Sequence, residues 1–240
     1  KTAPITVIKV CCYCIAITID MNPALLHLMH LVSPALPVGA YAYSQGLEYA
    51  VDSGWLKNEE AIEHWLRGVM AYGFGQLDAP VLLRCLNAWR AADIDALRYW
   101  NAFVLACRET QELHFEDAQL GMALRRLLQS LNVTGGETLS GEVSFASQFA
   151  LACYHWDIAD GDAVQGFIWA WLENQIAAAT KIVPLGQTQA QKLLLCLMKD
   201  IPQIAAKALK LPDEEIGWSL PGVVMASAKH ERQYSRLFRS

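Results

Sequence analysis

Residues 58–70 read NEEAIEHWLRGVM, and this stretch decides the fold class. Asn58 is a good helix N-cap, and Glu59 and Glu60 place negative charge in the first turn, where the helix dipole favours it. Apolar residues then fall at Ile62, Trp65, Leu66, Val69 and Met70, the i, i+3, i+4, i+7, i+8 spacing of an amphipathic helix with one buried face. The same grammar repeats outward from it. Asn22 and Pro23 start a short helix that ends before Ser33-Pro34. Asp78 with Pro80 starts a helix carrying Val81, Leu82, Leu86 and Trp89, and Asp93 starts one through Leu97, Trp100 and Val104. Helical periodicity continues over about 109–131, 144–156 and 161–180. In the last of these Phe167, Trp169, Trp171 and Leu172 make a cylinder apolar almost all round, the pattern of a central core helix. Thr188 is placed to cap a further long helix, which Pro202 must kink or end. The glycine-, threonine- and serine-rich stretch 132–141 interrupts the pattern and is expected to be an exposed loop within one domain. Residues 21–240 show no alternating strand pattern, internal repeat or low-complexity tract. The expected architecture is all-α, a single helical bundle of about eight to ten helices.

Composition limits what such a bundle can do. The 240 residues are 54% hydrophobic and only 18% charged, with a mean hydropathy of +0.20. That is more apolar than a soluble monomer requires, and it implies a large core or faces covered by other subunits. A net charge of -5 with no Lys/Arg-rich run argues against nucleic-acid binding, which needs basic surface to neutralise phosphates. Of the seven cysteines, Cys85, Cys107, Cys153 and Cys196 are scattered singly through apolar helical patterns, as buried thiols of a reducing compartment are, so a cytoplasmic location is expected. No stretch reaches membrane-spanning length. Residues 1–20, KTAPITVIKVCCYCIAITID, are β-branched and cysteine-rich and are expected to be an extension outside the fold.

The segment LPVGAYAYSQGLEYAVDSGW, residues 36–55, has a different character. Pro37 and Gly39 define a turn, Tyr41 and Tyr43 present two aromatic groups, and Ser44 is placed to cap the helix that follows. Gly46, expected inside the first helical turn, costs about 1 kcal/mol against Ala there and implies close backbone approach. LPVGAYAYSQGLE at 36–48, CRET at 107–110, KIVPLGQ at 181–187 and SAKHERQYSRLFRS at 227–240 occur in that order. Together they resemble the UreF family of urease accessory proteins over residues 21–240. The resemblance implies a non-catalytic, dimeric adaptor for nickel insertion. Such an adaptor bridges UreD (also called UreH) and the GTPase UreG on apo-urease, with nickel and GTP acting through those partners and no cofactor of its own.

The residues themselves carry little catalytic chemistry. There is no GxxxxGK[ST] loop, so the chain is not a P-loop GTPase. His27 and His30 share a helix face without a third metal ligand in view, and the CxxC spacing Cys11–Cys14 has no second pair. His64, His114 and His155 are isolated. Cys107, near Glu109 or His114, is the one nucleophile candidate and defines the alternative reading, a small helical-bundle hydrolase. Arg108, Arg236 and Arg239 are candidates for an arginine inserted into a GTPase. What remains is recognition chemistry: Lys181 at a helix end, and a tail that mixes arginines with Tyr234 and Phe238, residue types enriched at interfaces. The expected partner-facing residues are Tyr41, Tyr43, Gln45, Glu48, Lys181, Gln187, Tyr234, Arg236, Phe238 and Arg239. No catalytic, cofactor or metal residue is assigned.

Overall fold

A computed structural model describes residues 22–240 in full. From the preceding region it describes the backbone of two short antiparallel strands, β1 (Ile8–Val10) and β2 (Tyr13–Ile15), with Val10 opposite Tyr13. The CxxC spacing begins at Cys11, which lies outside the described residues.

From residue 22 onward the described chain is helical, as the sequence pattern requires. The helices are α1 (Pro23–Leu31), α2 (Leu47–Asp52), α3 (Glu59–Gly68), α4 (Asp78–Ala91), α5 (Ile94–Ala106) and α6 (Gln111–Ser130). They continue with α7 (Phe145–His155), α8 (Asp160–Ile182), α9 (Gln187–Met198), α10 (Ile201–Ala208) and α11 (Pro221–His230). Side-chain caps set many of the starts: Asn22, Asn58, Asp93, Thr110 and Ser144 each accept a hydrogen bond from a first-turn amide. Helix α3 passes directly into a π-helical turn, Val69–Phe74, which carries Phe74 onto the rings of Phe167 and Trp171.

α4 and α7 pack along their lengths with α5 and α6 at their flanks, while α8 collects α1, α2, α9 and α10. The α8 face bearing Phe167, Ile168, Leu172 and Ile176 is buried, which bears out its reading as a central helix. Among the described residues no helix is long and apolar enough to cross a membrane.

Several local expectations change. Stretch 132–141 is not a free loop: Val133 and Leu139 are buried in the core and Gly136–Thr138 forms a 3-10 turn. Pro202 divides the long helix expected after Thr188 into α9 and α10, where it occupies the first turn of α10 without losing a hydrogen bond. Gly186, not Thr188, occupies the cap of α9, because Gln189 reaches back to the Gly186 amide. The opening loop contains a 3-10 turn at Ala40–Ala42, and α2 starts only at Leu47. Gly46 therefore precedes the helix, with φ +79°, and a Cβ there would lie 2.8 Å from the Ser227 amide of α11. The close approach expected of this glycine is real, and its neighbour is the last helix.

Candidate interaction site

The opening loop, the end of α8 and the tail meet at one edge of the bundle. The Lys181 ammonium lies 5.9 Å from the centroid of the Tyr41 ring and 5.5 Å from that of Phe238. Beneath it the tail runs alongside the loop: the Arg239 amide donates to Ala42 (2.8 Å) and the Ser44 amide donates to the Ser240 carbonyl (2.9 Å). The Ser44 hydroxyl donates to the same carbonyl at 2.6 Å and accepts from the Glu48 amide. Ser44 thus serves α2 from one turn before its start while tying down the tail.

Three carboxylates anchor the tail from below. Glu48 accepts from the amides of Leu237 (2.7 Å) and Phe238 (3.0 Å) and also faces His230 Nε2 at 3.1 Å. Glu112 faces His230 Nδ1 at 2.8 Å and accepts from the Arg236 guanidinium at 2.6 Å. Glu116, one turn further along α6, accepts from the Ser240 hydroxyl (2.6 Å) and from the Gln45 amide (2.9 Å). Burial pushes the Glu116 carboxyl up to about 7, although Ser240 and Gln45 both favour its charged form.

On the far side of Glu116 lies an apolar cavity of about 170 Å3, walled by Leu36, Tyr41, Phe74, Phe167 and Trp171. Its polar floor is Arg108, which pairs with Asp78 and Asp117 (2.9 Å). Burial opposes the guanidinium charge, but the two carboxylates outweigh it and hold Arg108 protonated. The second oxygen of Asp117 accepts from the Phe145 amide at 2.7 Å, so the pair also fixes the start of α7. Gln45 links floor and tail, since its oxygen accepts from Trp171 Nε1 at 2.8 Å while its nitrogen donates to Glu116.

The residues singled out by sequence divide into two groups. Tyr41, Lys181, Gln187, Tyr234, Arg236 and Arg239 are exposed at the surface, Tyr234 completely. Tyr43, Glu48 and Phe238 are buried, at 3%, 5% and 5% exposure, and half-buried Gln45 spends both ends of its amide inside the chain. Burial pushes the Tyr43 hydroxyl up against the opposing pull of Arg239. Glu112, Glu116, His230 and the Arg108 cluster carry the architecture of the edge yet were not singled out for it. Their signal was the i, i+4 acidic pair on α6, opposite in charge to an arginine-rich tail.

The remaining candidates fall back to structural roles. Arg108 is committed to its buried pairs and is not available for insertion into a partner. Cys107 caps the end of α5, half-buried. Burial pushes its thiol up against the pull of Arg108, with Asp78 and Glu109 adding to the rise, the reverse of what a nucleophilic cysteine needs. His114 is turned to Glu142 and the Leu105 carbonyl. His27 stacks on Trp156 at 4.9 Å. Among the described residues no group of three His, Cys, Asp or Glu is arranged to hold a metal ion.

Comparison with known proteins places the chain in a family. The UreF family model matches residues 56–198, the helical core from just before α3 to the end of α9. The urease accessory protein UreF of Teredinibacter turnerae is 61% identical over 221 residues, covering 92% of this chain and all of that protein. That of Hahella chejuensis is 53% identical over 90% of this chain and 98% of its own length, and that of Alkalilimnicola ehrlichii 45% over 92% and 99%. With identity this high across nearly the whole chain, and an all-α fold in which the motifs that first suggested the resemblance meet at one edge, the chain belongs to the UreF family.

Proposed function

We propose that this protein is a non-catalytic accessory factor of urease maturation. It bridges UreD/UreH and the GTPase UreG on the urease apoprotein and supports GTP-dependent nickel insertion, as a cytoplasmic homodimer. The observation that carries this reading is the convergence of Tyr41, Lys181 and the Tyr234–Arg239 tail on one surface held rigid from beneath. Arginine and tyrosine presented on a preorganised backbone are the residue types that anchor protein partners. Leu25, Leu26 and Met29 form an exposed apolar stripe on α1, which supports a self-associating face. Nickel and GTP act through the partner proteins.

The test is co-purification with UreD/UreH and UreG, followed by nickel-dependent activation of apo-urease. Lys181→Glu and Tyr234→Ala alter exposed side chains, so the melting temperature should stay within about 2 °C of the parent. Capture of a partner and urease activation should both fall about tenfold or more. Full activation by both variants would remove this edge as the docking surface, and absence of any complex with the parent chain would end the adaptor reading.

A further inference from the structure

The cavity beside Glu116 shares Tyr41 with the partner-facing edge but otherwise has no part in it. Its volume, about 170 Å3, is of the size that holds one six-membered ring, since an apolar cavity of about 150 Å3 takes up benzene. Rings along its wall form a continuous series: Phe145 lies 5.7 Å from Phe167, Phe167 4.8 Å from Phe74, and Phe74 5.4 Å from Trp171, centroid to centroid. The end of this series is fixed by Gln45, which holds the Trp171 indole and Glu116 from a backbone at φ +54°, outside the region that residues with a Cβ prefer.

The polar lining of the cavity is unbalanced in charge. Among the described residues, Asp78, Glu116, Asp117 and Glu173 line it as acids and Arg108 as the single base, already shared between Asp78 and Asp117. Glu116 is supplied with donors by Ser240 and Gln45. Glu173 is not: burial raises its carboxyl, and among the described residues no donor or cation offsets that. Next to it on α8, Asn174 spends its side-chain nitrogen on the Tyr43 carbonyl at 3.5 Å, which leaves the amide oxygen as a second open acceptor. Lys181 stays outside the cavity, against Tyr41 and Phe238.

We propose that this cavity is a binding site for a small organic cation, a primary ammonium on an apolar body the size of a single ring. The apolar body packs along Phe145, Phe167, Phe74 and Trp171, and the ammonium is received by the Glu173 carboxylate and the Asn174 oxygen. Aromatic walls attract a cation through their ring quadrupoles, and the surplus of acids adds to that attraction. An anion meets the same surplus as repulsion, and Arg108 is not available to it because both neighbouring acids already hold the guanidinium. A neutral alcohol of the same shape fits the rings but brings one donor and no charge to two open acceptors. An occupant also contacts Tyr41, so the site and the partner-facing edge share a wall.

Phenethylammonium, 2-phenylethanol and phenylacetate each carry one ring on a short arm, ending in a cation, a neutral hydroxyl and an anion. Titrated into the full chain at neutral pH, they are read by NMR at the Trp171 indole N–H, assigned by its loss in Trp171→Phe. Phenethylammonium should shift this resonance saturably with a Kd of about 1 mM or tighter, the range open to a ligand of this size. The alcohol and the anion should bind about tenfold more weakly or worse. Glu173→Gln keeps the side-chain shape at a half-buried position and removes the charge. It should weaken phenethylammonium about fivefold or more and leave 2-phenylethanol unchanged. No saturable shift below about 10 mM, equal binding of the cation and either other probe, or undiminished binding by Glu173→Gln overturns the site. Should that variant not fold, the order of affinities in the parent decides: the cation first is expected, and any other order overturns the proposal.

Discussion

Replacing Gly46 by Ala probes the contact on which the opening loop and the last helix depend. Two costs are separable there. Gly46 has φ +79°, where a Cβ-bearing residue is disfavoured by about 1–2 kcal/mol. The added methyl would also stand 2.8 Å from the Ser227 amide nitrogen and 3.0–3.1 Å from Ala226 atoms. Because the nearest obstacle is backbone, α11 must shift, and overpacking of this kind costs about 1–3 kcal/mol. The sum, about 2–5 kcal/mol, corresponds to a fall in melting temperature of about 5–15 °C for a domain of this size. Gly39→Ala supplies the control, with φ +83° but nothing within 4 Å of the added carbon, so it carries the conformational cost alone. Thermal unfolding of both variants, followed by circular dichroism, gives the steric contribution as their difference. If the two melt within about 1 °C of each other, the tight packing of α11 on Gly46 is not energetically real.

Arg108→Met should be among the most damaging single changes, because it leaves Asp78 and Asp117 buried without their cation; urea unfolding should show a loss of about 3–5 kcal/mol. A loss below about 1 kcal/mol would mean that these carboxyls are solvated or neutral. Thiol labelling of the native protein should divide the cysteines by burial. Among the four cysteines whose burial is described, Cys85, raised to about 12, and Cys153, also raised by burial, should stay unmodified until the chain unfolds, whereas Cys196 and Cys107 react before them. Modification of Cys85 at the rate of Cys196 would contradict the packing of α4.

The helices were legible where periodicity and capping agree. Asn58 and the apolar face of α3 are local signals, and Asn58 does cap Ala61. The edge was legible only in outline. Tyr43 and Glu48 look outward in a list of residue types, yet Glu48 takes its partners from Leu237 and Phe238, 189 and 190 positions away. No local pattern reveals that a carboxylate will receive two amides from the other end of the chain. The same holds for Ser44, whose hydroxyl was read as a cap and is also committed to Ser240. The placement of Lys181 between Tyr41 and Phe238 likewise needed α8 to deliver its last turn to the loop. The motifs suggested that the three segments mattered; tertiary packing showed that they are one surface.

Gln45 makes a last point about what the sequence can tolerate. The indole of Trp171 can only donate, so the amide oxygen of Gln45 must face it, and the nitrogen must face Glu116. The orientation of this side chain is therefore dictated from outside, and the side chain works as a polarity converter between a permanent donor and a permanent carboxyl. Substitution at position 45 is accordingly governed by the order of acceptor and donor along the side chain rather than by size or charge. Glutamate, nearly identical in shape, meets that order only when it carries a proton.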